Sequence, residues 1–157
     1  MVFNFFKQKL QFLSAAACVG GFTQYSQFCY AYIDKLENWV DAASHCRSLG
    51  GFLAEPRTEQ QNIYIRQLVA HHSAGADSAT VWIGGEDHVT EGHWYWAQSG
   101  AAVAGFTDWR QGEPSNSPPG GEDCMEYRIP FLHWNDRNCS VLQTFVCQRP
   151  LSDDVVG

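Results

Sequence analysis

Residues 112–139 read GEPSNSPPGGEDCMEYRIPFLHWNDRNC, and this stretch decides what the chain can be. It is rich in oxygen-bearing side chains, and two carboxylates lie upstream of it. The full set is Asp87, Glu91, Glu113, Ser115, Asn116, Glu122, Asp123, Asn135 and Asp136. Clustered carboxylates repel one another without a cation, and Ca²⁺ is a hard ion that takes six to eight oxygen ligands. His and Cys, the usual zinc ligands, are absent from the set. The stretch predicts a calcium site, and the alternative is an acidic loop in solvent.

The size and charge of the chain exclude several classes of protein. It has 157 residues, which fits one domain of ordinary size. Acidic residues outnumber basic ones by 17 to 10, and the net charge is −7. This excludes a nucleic-acid partner that is recognised through a basic patch. No apolar run approaches the roughly 20 residues that a membrane-spanning helix needs.

Six cysteines predict a disulfide framework. Their number is even and none forms a CxxC pair, but six cysteines allow 15 pairings and spacing alone does not choose one. Three bridges would require an oxidising compartment, so we expect a secreted, extracellular protein. Residues 1–17 are consistent with a secretion signal, because two lysines precede a short apolar stretch and Ala15–Ala17 precede Cys18. The alternative is six reduced thiols in a cytosolic protein.

Local patterns predict two helices and several short strands. Asn38 is an N-cap for an apolar stripe that ends at Gly50, and Thr58 begins a capping box whose helix should run to about His71. Aromatic or apolar runs at 81–84, 92–96 and 144–147 predict strands. The segment 106–123 has no periodicity, so we expect a functional loop.

Other conspicuous residues have structural interpretations. We expect the core below the loops to contain Trp82, Trp94, Trp96 and Trp134. Glu55 should lie at the surface before the second helix. Residues 150–157 should form a flexible tail.

Residues 18–149 resemble a C-type lectin domain of the long form. The resemblance rests on Trp82-Ile83-Gly84-Gly85, Trp94-Tyr95-Trp96, Gly112-Glu113-Pro114-Ser115 and Trp134-Asn135-Asp136, in this order within the cysteine frame. It implies an α+β fold in which two helices pack on antiparallel sheets beside a long calcium-binding loop region. It also implies three disulfides, Cys18–Cys29, Cys46–Cys147 and Cys124–Cys139.

The resemblance further implies two calcium ions and a cis Pro114. The sugar-binding ion would be bound by Glu113, Ser115, Glu122, Asn135 and Asp136. The second ion would be bound by Asp87, Glu91, Asn116 and Asp123. Ser115 stands where the family has Asn or Asp, and a hydroxyl is the poorer calcium ligand. The loop is also one residue longer than in many relatives, so Asn116 could occupy the position assigned to Ser115.

The resemblance implies a secreted, calcium-dependent lectin that recognises microbial or cell-surface glycans, as in innate immunity. Glu113 can only accept a hydrogen bond and Ser115 can donate one, which favours mannose-type ligands, meaning mannose, N-acetylglucosamine or fucose. Weak single sites would need several domains displayed together, as in a homo-oligomer. The alternatives are a galactose-type lectin and a calcium-independent protein- or ice-binding domain. A hydrolase is disfavoured, because carboxylates that share calcium are pushed toward ionisation and an acid catalyst must stay protonated.

Overall fold

A computed structural model describes residues 18–74, 80–119 and 121–151. Its elements, in chain order, are β1 (Thr23–Tyr25), β2 (Phe28–Glu37), α1 (Trp39–Ser48), β3 (Phe52–Leu53), α2 (Glu59–His72), β4 (Thr80–Glu86), β5 (Tyr95–Trp96), β6 (Cys124–Arg128), β7 (His133–Arg137) and β8 (Gln143–Pro150). The predicted secretion signal, residues 1–17, lies outside the described residues. Within the described ranges, no helix is long and apolar enough to cross a membrane.

One eight-stranded sheet organises the domain. Its order is β1-β2-β8-β4-β6-β7, with β3 added to β8 and β5 added to β4. The sheet is mixed rather than wholly antiparallel, because β4 and β8 pair in parallel through Val81 with Thr144 and Trp82 with Phe145. Parallel neighbours need a long crossover connection. Residues 87–142 provide it, so the loop region that carries the predicted site is also the crossover.

The last strand extends farther than the sequence predicts. β8 runs to Pro150, which pairs with Phe28 of β2. The backbone N–H of Leu151 then donates to the carbonyl of Gln27 at 2.8 Å. The structured chain therefore continues past the predicted boundary at residue 149, and residues 152–157 lie outside the described residues.

Both predicted helices are confirmed, together with the residues that begin them. The Asn38 side chain accepts a hydrogen bond from the backbone N–H of Asp41, and Gly50 follows α1 with a φ of +77°. Thr58 forms a capping box with Gln61 at the start of α2. α1 buries Trp39, Ala42, Ala43 and Cys46.

Three disulfides connect the elements in the pairing that the resemblance implies. Cys18–Cys29 closes the N-terminal hairpin, Cys46–Cys147 joins α1 to β8, and Cys124–Cys139 joins β6 to the segment after β7. On the chain-entropy model, a loop of about 100 residues such as that of Cys46–Cys147 is worth on the order of 4–5 kcal/mol. The third bridge ties Cys124, which directly follows Glu122 and Asp123, to the segment just after the strand that carries Asn135 and Asp136.

The four tryptophans predicted for the core are all buried. Trp134 is fully buried, and Trp96, Phe106 and Trp109 each approach it edge to face, with ring centroids 5.5–5.8 Å apart. The predicted strand 92–96 is shorter than expected. Only Tyr95–Trp96 pairs with β4, because the N–H of His93 closes a turn onto the carbonyl of Thr90.

Glu55 lies in the interior, which corrects the expectation that it is a surface residue. Its side chain is 3% exposed and accepts hydrogen bonds from the backbone N–H groups of Gln98, at 2.7 Å, and Ser99, at 3.2 Å. A buried carboxylate needs donors. Two backbone amides of a distant turn supply them. Because this turn lies far from Glu55 in the chain, no local sequence pattern predicts the contact.

Asn62 of α2 forms the polar link between the core and the loop region. Its Oδ1 accepts from the Tyr127 hydroxyl at 2.5 Å and from Trp134 Nε1 at 3.0 Å. Its Nδ2 donates to Oδ2 of Asp108 at 2.7 Å. One buried amide thereby satisfies two buried donors and a loop carboxylate, and it fixes the tryptophan that precedes Asn135.

We expect Asn62→Ala to lower the free energy of unfolding by about 3 kcal/mol, because the Tyr127 hydroxyl and the Trp134 indole would remain buried without an acceptor. Urea denaturation followed by tryptophan fluorescence measures the change. Gln60→Ala, at an exposed position of the same helix, is the control and should stay within about 0.5 kcal/mol of the unmodified protein. Equal stability of the two variants would contradict this role of Asn62.

Candidate functional site

The long loop between β5 and β6 is attached to β7 by its backbone. Apart from isolated bridges, its described residues form no helix or strand. Trp109 pairs in parallel with Trp134, so that the N–H of Arg110 donates to the Trp134 carbonyl at 2.8 Å and the N–H of Trp134 donates to the Asp108 carbonyl at 2.9 Å. This pairing brings the loop beside Asn135 and Asp136.

Asp136 is the residue around which the predicted sugar site is built. Its Oδ2 accepts the backbone N–H groups of Ser115, at 2.9 Å, and Asn116, at 2.6 Å. The Glu113–Pro114 peptide, just before these two residues, is cis, as the resemblance implies. Asp136 is 1% exposed, and its second oxygen, Oδ1, is buried without a hydrogen-bond partner.

Glu113 lies close to Asp136, and one of its carboxylate oxygens also lacks a hydrogen-bond partner. This oxygen, Oε2, is buried. Burial raises the pKa of the Glu113 carboxyl, the Ser115 hydroxyl opposes the rise, and the nearby charges of Asp136 and Glu122 add to it. Buried carboxylate oxygens without donors are costly, and a cation relieves both the desolvation and the repulsion. This donor set therefore fits a hard cation such as Ca²⁺.

Glu122 and Ser115 lie in the same loop and interact through Ser117. Glu122 Oε2 accepts the backbone N–H of Ser117 at 2.8 Å, and the hydroxyls of Ser115 and Ser117 are 2.9 Å apart. Among the described residues, only the ligand atoms of His88, Cys124 and Cys139 come within 4.8 Å of one another as a trio, and those cysteines form a disulfide. The carboxylates of the predicted sugar site are thus gathered in one region but are not closed into a tight cage.

Asn135 presents its amide oxygen to the site because both protons of its amide nitrogen are in use. Nδ2 donates to Glu126 Oε1 at 2.9 Å and to the backbone carbonyl of Asp136 at 2.5 Å. Glu126 is fully buried opposite Asn135 in the β6–β7 hairpin. A carboxyl oxygen that accepts at this place fixes which end of the amide points toward a ligand.

Glu126 is the site residue that the sequence analysis missed. Burial raises its pKa to about 7, although Gln143, Arg137, Asn135 and Arg128 all act to lower it. Its Oε2 has no hydrogen-bond partner. The available signal was a single carboxylate inside the apolar strand Cys124–Arg128, at a position whose hairpin partner is Asn135.

Three of the four residues predicted for the second ion lie together. Asp87 is 2% exposed and its Oδ1 is buried without a partner, while its Oδ2 accepts the N–H of Gly92 at 2.7 Å. Burial raises the pKa of Asp87 to about 6; the Gly92 N–H opposes the rise, and the charges of Glu91, Asp123 and Asp136 add to it. This group also fits a cation.

Asn116 has a different role in this structure. Its Oδ1 accepts the backbone N–H groups of Gly121, at 2.7 Å, and Glu122, at 3.1 Å. A carbonyl oxygen has two lone pairs, and both are used here. In this structure the Asn116 amide oxygen therefore closes the loop and does not face the second group of carboxylates.

Comparison with known proteins identifies the family. The family model described as Lectin C-type domain matches residues 35–149. The chain belongs to the C-type lectin family. The fold, the three disulfides and the loop over β7 agree with that membership.

Several curated relatives of this C-type lectin cover most of its length. Galactose-specific lectin nattectin of Thalassophryne nattereri is 28% identical over 88% of this chain and 84% of its own. Ladderlectin of Oncorhynchus mykiss is 34% identical over 78% of this chain and 62% of its own. Human lithostathine-1-alpha is 30% identical over 84% and 78%.

Solved structures with the same fold differ in what they bind. The carbohydrate-recognition domain of mouse scavenger receptor C-type lectin superposes with a TM-score of 0.76 at 25% identity, covering 87% of this C-type lectin and 100% of that chain. A calcium-independent type II antifreeze protein superposes with a TM-score of 0.74 at 25% identity, covering 87% and 96%. Function must therefore be argued from the site rather than from the fold.

We expect the calcium-free protein to lose stability as pH rises from about 5 to about 8. Asp87 and Glu126 have pKa values of about 6 and about 7, above those of carboxyls in an unfolded chain. The folded state therefore binds more protons than the unfolded state across this window, and stability falls as those protons leave. Thermal melts in chelator across the pH range measure it, and Glu126→Gln should flatten the curve. A melting temperature that climbs with pH in chelator would contradict the expectation.

Proposed function

We propose that the protein is a secreted, calcium-dependent lectin whose sugar-site ion is bound by Glu113, Ser115, Glu122, Asn135 and Asp136. The observation that carries the proposal is the pair of buried, unpartnered carboxylate oxygens, Glu113 Oε2 and Asp136 Oδ1. They lie where the loop crosses the end of β7, and the loop itself is exposed. Such a shallow, charged site suits a polar ligand that approaches from solvent.

Bound calcium would supply a Lewis acid that accepts two neighbouring hydroxyls of a sugar as ligands. The residues of the chain would orient those hydroxyls. Glu113 is a pure acceptor, the Ser115 hydroxyl is a donor on the other side of Pro114, and Asn135 contributes its Oδ1. Charge-assisted hydrogen bonds of this kind are short and directional, so they select among hydroxyl arrangements.

The order of acceptor and donor favours mannose-type sugars, which are mannose, N-acetylglucosamine or fucose. Residues 116–121 contain no aromatic side chain, so this part of the loop lacks a stacking surface for the apolar face of galactose. Nattectin is named as a galactose-specific lectin. Galactose-type binding is therefore the direct competitor within the same proposal.

The second calcium ion is a weaker part of the proposal. Asp87, Glu91 and Asp123 would bind it, whereas Asn116 is occupied within the loop. Three disulfides suit an oxidising compartment, and microbial or cell-surface glycans are the proposed partners. A single site of millimolar affinity, about −4 kcal/mol, would need display of several domains, as in a homo-oligomer.

Calcium-independent binding is the second candidate function. Ser115 and Ser117 bond each other, and Glu113, Glu122 and Asp136 do not converge within 4.8 Å. The similarity to the antifreeze protein points the same way. Catalysis is not part of the calcium-dependent candidate, because an acid catalyst must stay protonated near neutral pH and calcium favours ionised carboxylates.

We expect calcium to raise the melting temperature with a Kd of roughly 10⁻⁴–10⁻³ M, the range of extracellular calcium modules. Ser115→Asn should lower the calcium Kd several-fold, because it replaces a hydroxyl by an amide carbonyl. Ser44→Asn adds the same amide at an exposed position of α1, outside the loop region, and is the control. Calorimetric titration with calcium measures both. No bound ion at 10 mM calcium, a concentration about tenfold above the weak end of that range, would leave the calcium-independent candidate.

Free mannose should compete for glycan binding in calcium, and free galactose should not. Glu113→Gln combined with Ser115→Asp should reverse this preference, since it exchanges the positions of donor and acceptor around the ion. Competition on immobilised mannan and on immobilised galactose, each with and without chelator, measures the preference. Inhibition of the unmodified protein by galactose alone would overturn the mannose assignment.

A further inference from the structure

A basic pocket lies at the turn between β6 and β7. Its volume is about 220 Å³. Its lining combines cationic and apolar side chains, which are Arg110, Arg128, Ile129, Pro130, Phe131 and His133. In the hairpin register, Arg128 is directly opposite His133, so the two lie side by side at the end of the strands.

The two arginines of this pocket have uncompensated charge. Both are exposed, and neither forms a salt bridge with any residue in the part of the chain that the structure describes. Asp108 is the carboxylate next to the pocket, and it is already engaged by His133 at 2.8 Å, by Asn62 at 2.7 Å and by Arg66 at 3.5 Å. The whole chain has a net charge of −7, so this pocket is a positively charged region on a negatively charged protein.

Apolar side chains line the same pocket beside these charges. Phe131 is 65% exposed, although large aromatic side chains are usually buried. Its backbone carbonyl accepts a hydrogen bond from Arg66 at 3.0 Å, so the turn that carries it is fixed to α2. A ring with one charged substituent can pack on Phe131 while its charge meets the arginines.

The basic pocket is linked to the proposed sugar site by the backbone turn 110–113. Arg110 and Glu113 are the ends of one turn, in which the N–H of Glu113 donates to the Arg110 carbonyl at 2.9 Å. The ends of such a turn lie within about 7 Å of each other. The N–H of Arg110 also donates to the Trp134 carbonyl, next to Asn135. A sugar bound near Glu113 therefore has the pocket as its neighbour on this side.

We propose that the basic pocket is a subsite for the oxyanion of an acidic saccharide, namely a sulfate, phosphate or carboxylate group on the residue next to the sugar at Glu113. The guanidinium group presents paired donors that match such oxyanions, and two arginines line this pocket. This inference rests on the proposed function for the neighbouring site. It adds that the preferred ligand is an anionic glycan rather than a neutral one.

The test compares matched oligosaccharides that differ only in one sulfate, phosphate or carboxylate group, measured by calorimetry in calcium. We expect the acidic form to bind about tenfold more tightly than its neutral parent, an advantage that shrinks as salt is raised. In the double variant Arg110→Gln with Arg128→Gln, the ratio of acidic to neutral affinity should fall to about one. The double variant Arg47→Gln with Arg57→Gln makes the same charge change at exposed sites outside the pocket and should keep the full ratio.

A second pair of substitutions separates charge from geometry and covers the case in which the first variant folds poorly. Arg110→Lys with Arg128→Lys keeps the charge but removes the paired donors, so the ratio should fall only in part. Comparing the three oxyanions identifies the acidic group of the ligand. Tighter binding with sulfate and phosphate alone would assign a tetrahedral group. Tighter binding with the carboxylate alone would assign a uronic or sialic acid.

The outcomes also separate this inference from the proposed function. Equal affinity for acidic and neutral glycans, with calcium-dependent binding of both, would overturn the subsite and leave the lectin proposal intact. Binding of acidic glycans alone, unaffected by chelator and abolished by Arg110→Gln with Arg128→Gln, would support the subsite while refuting calcium dependence. Equal loss of the acidic advantage in the Arg47→Gln, Arg57→Gln control would assign it to overall charge and overturn the inference.

Discussion

The carboxylate of Asp136 is the constraint on which the candidate site depends. One oxygen accepts two consecutive backbone amides, from Ser115 and Asn116, and the other is buried with no partner. The first oxygen fixes the loop to β7 through these two backbone hydrogen bonds. The second oxygen has no partner. A cation bound between it and Glu113 Oε2 would offset the cost of burying both oxygens. One oxygen of Asp136 thus stabilises the loop, and the other is available to bind an ion.

Asn62 links the core to the strand that carries Asp136. Its amide fixes the indole of Trp134 and the hydroxyl of Tyr127, and these side chains belong to β7 and β6. Trp134 in turn pairs with the segment at Trp109, which sets the path of the loop toward Glu113. The same strands carry Asn135, whose amide is oriented by Glu126. Asn135 and the path of the loop are therefore fixed by neighbours with little conformational freedom, and precise sites depend on such support.

Some of this architecture is readable from the sequence, and some is not. Both helices have local capping signals at Asn38 and Thr58, so the chain itself marks where they begin. The disulfide pairing came from resemblance, because spacing permits many pairings. The buried positions of Glu55 and Glu126, the parallel pairing of β4 with β8, and the use of Asn116 within the loop depend on contacts between residues far apart in the chain or on loop closure. No local pattern contains that information. A carboxylate in an apolar strand is visible in the sequence, but its partner is fixed only by the strand register.

The charges of the loop region connect the proposed ion to the proposed acidic ligand. Glu113, Glu122 and Asp136 form one group of carboxylates, and Asp87, Glu91 and Asp123 form another beside it. Without a cation, their combined field would repel an oxyanion approaching the arginines, since charges within about 8–10 Å are incompletely screened at physiological salt. Calcium bound at Glu113 would offset two of the three negative charges of the nearer group, so that Arg110 and Arg128 would face a weaker opposing field. The ion would then contribute to recognition twice, by contacting the hydroxyls of one sugar and by permitting the approach of the charged group on the next.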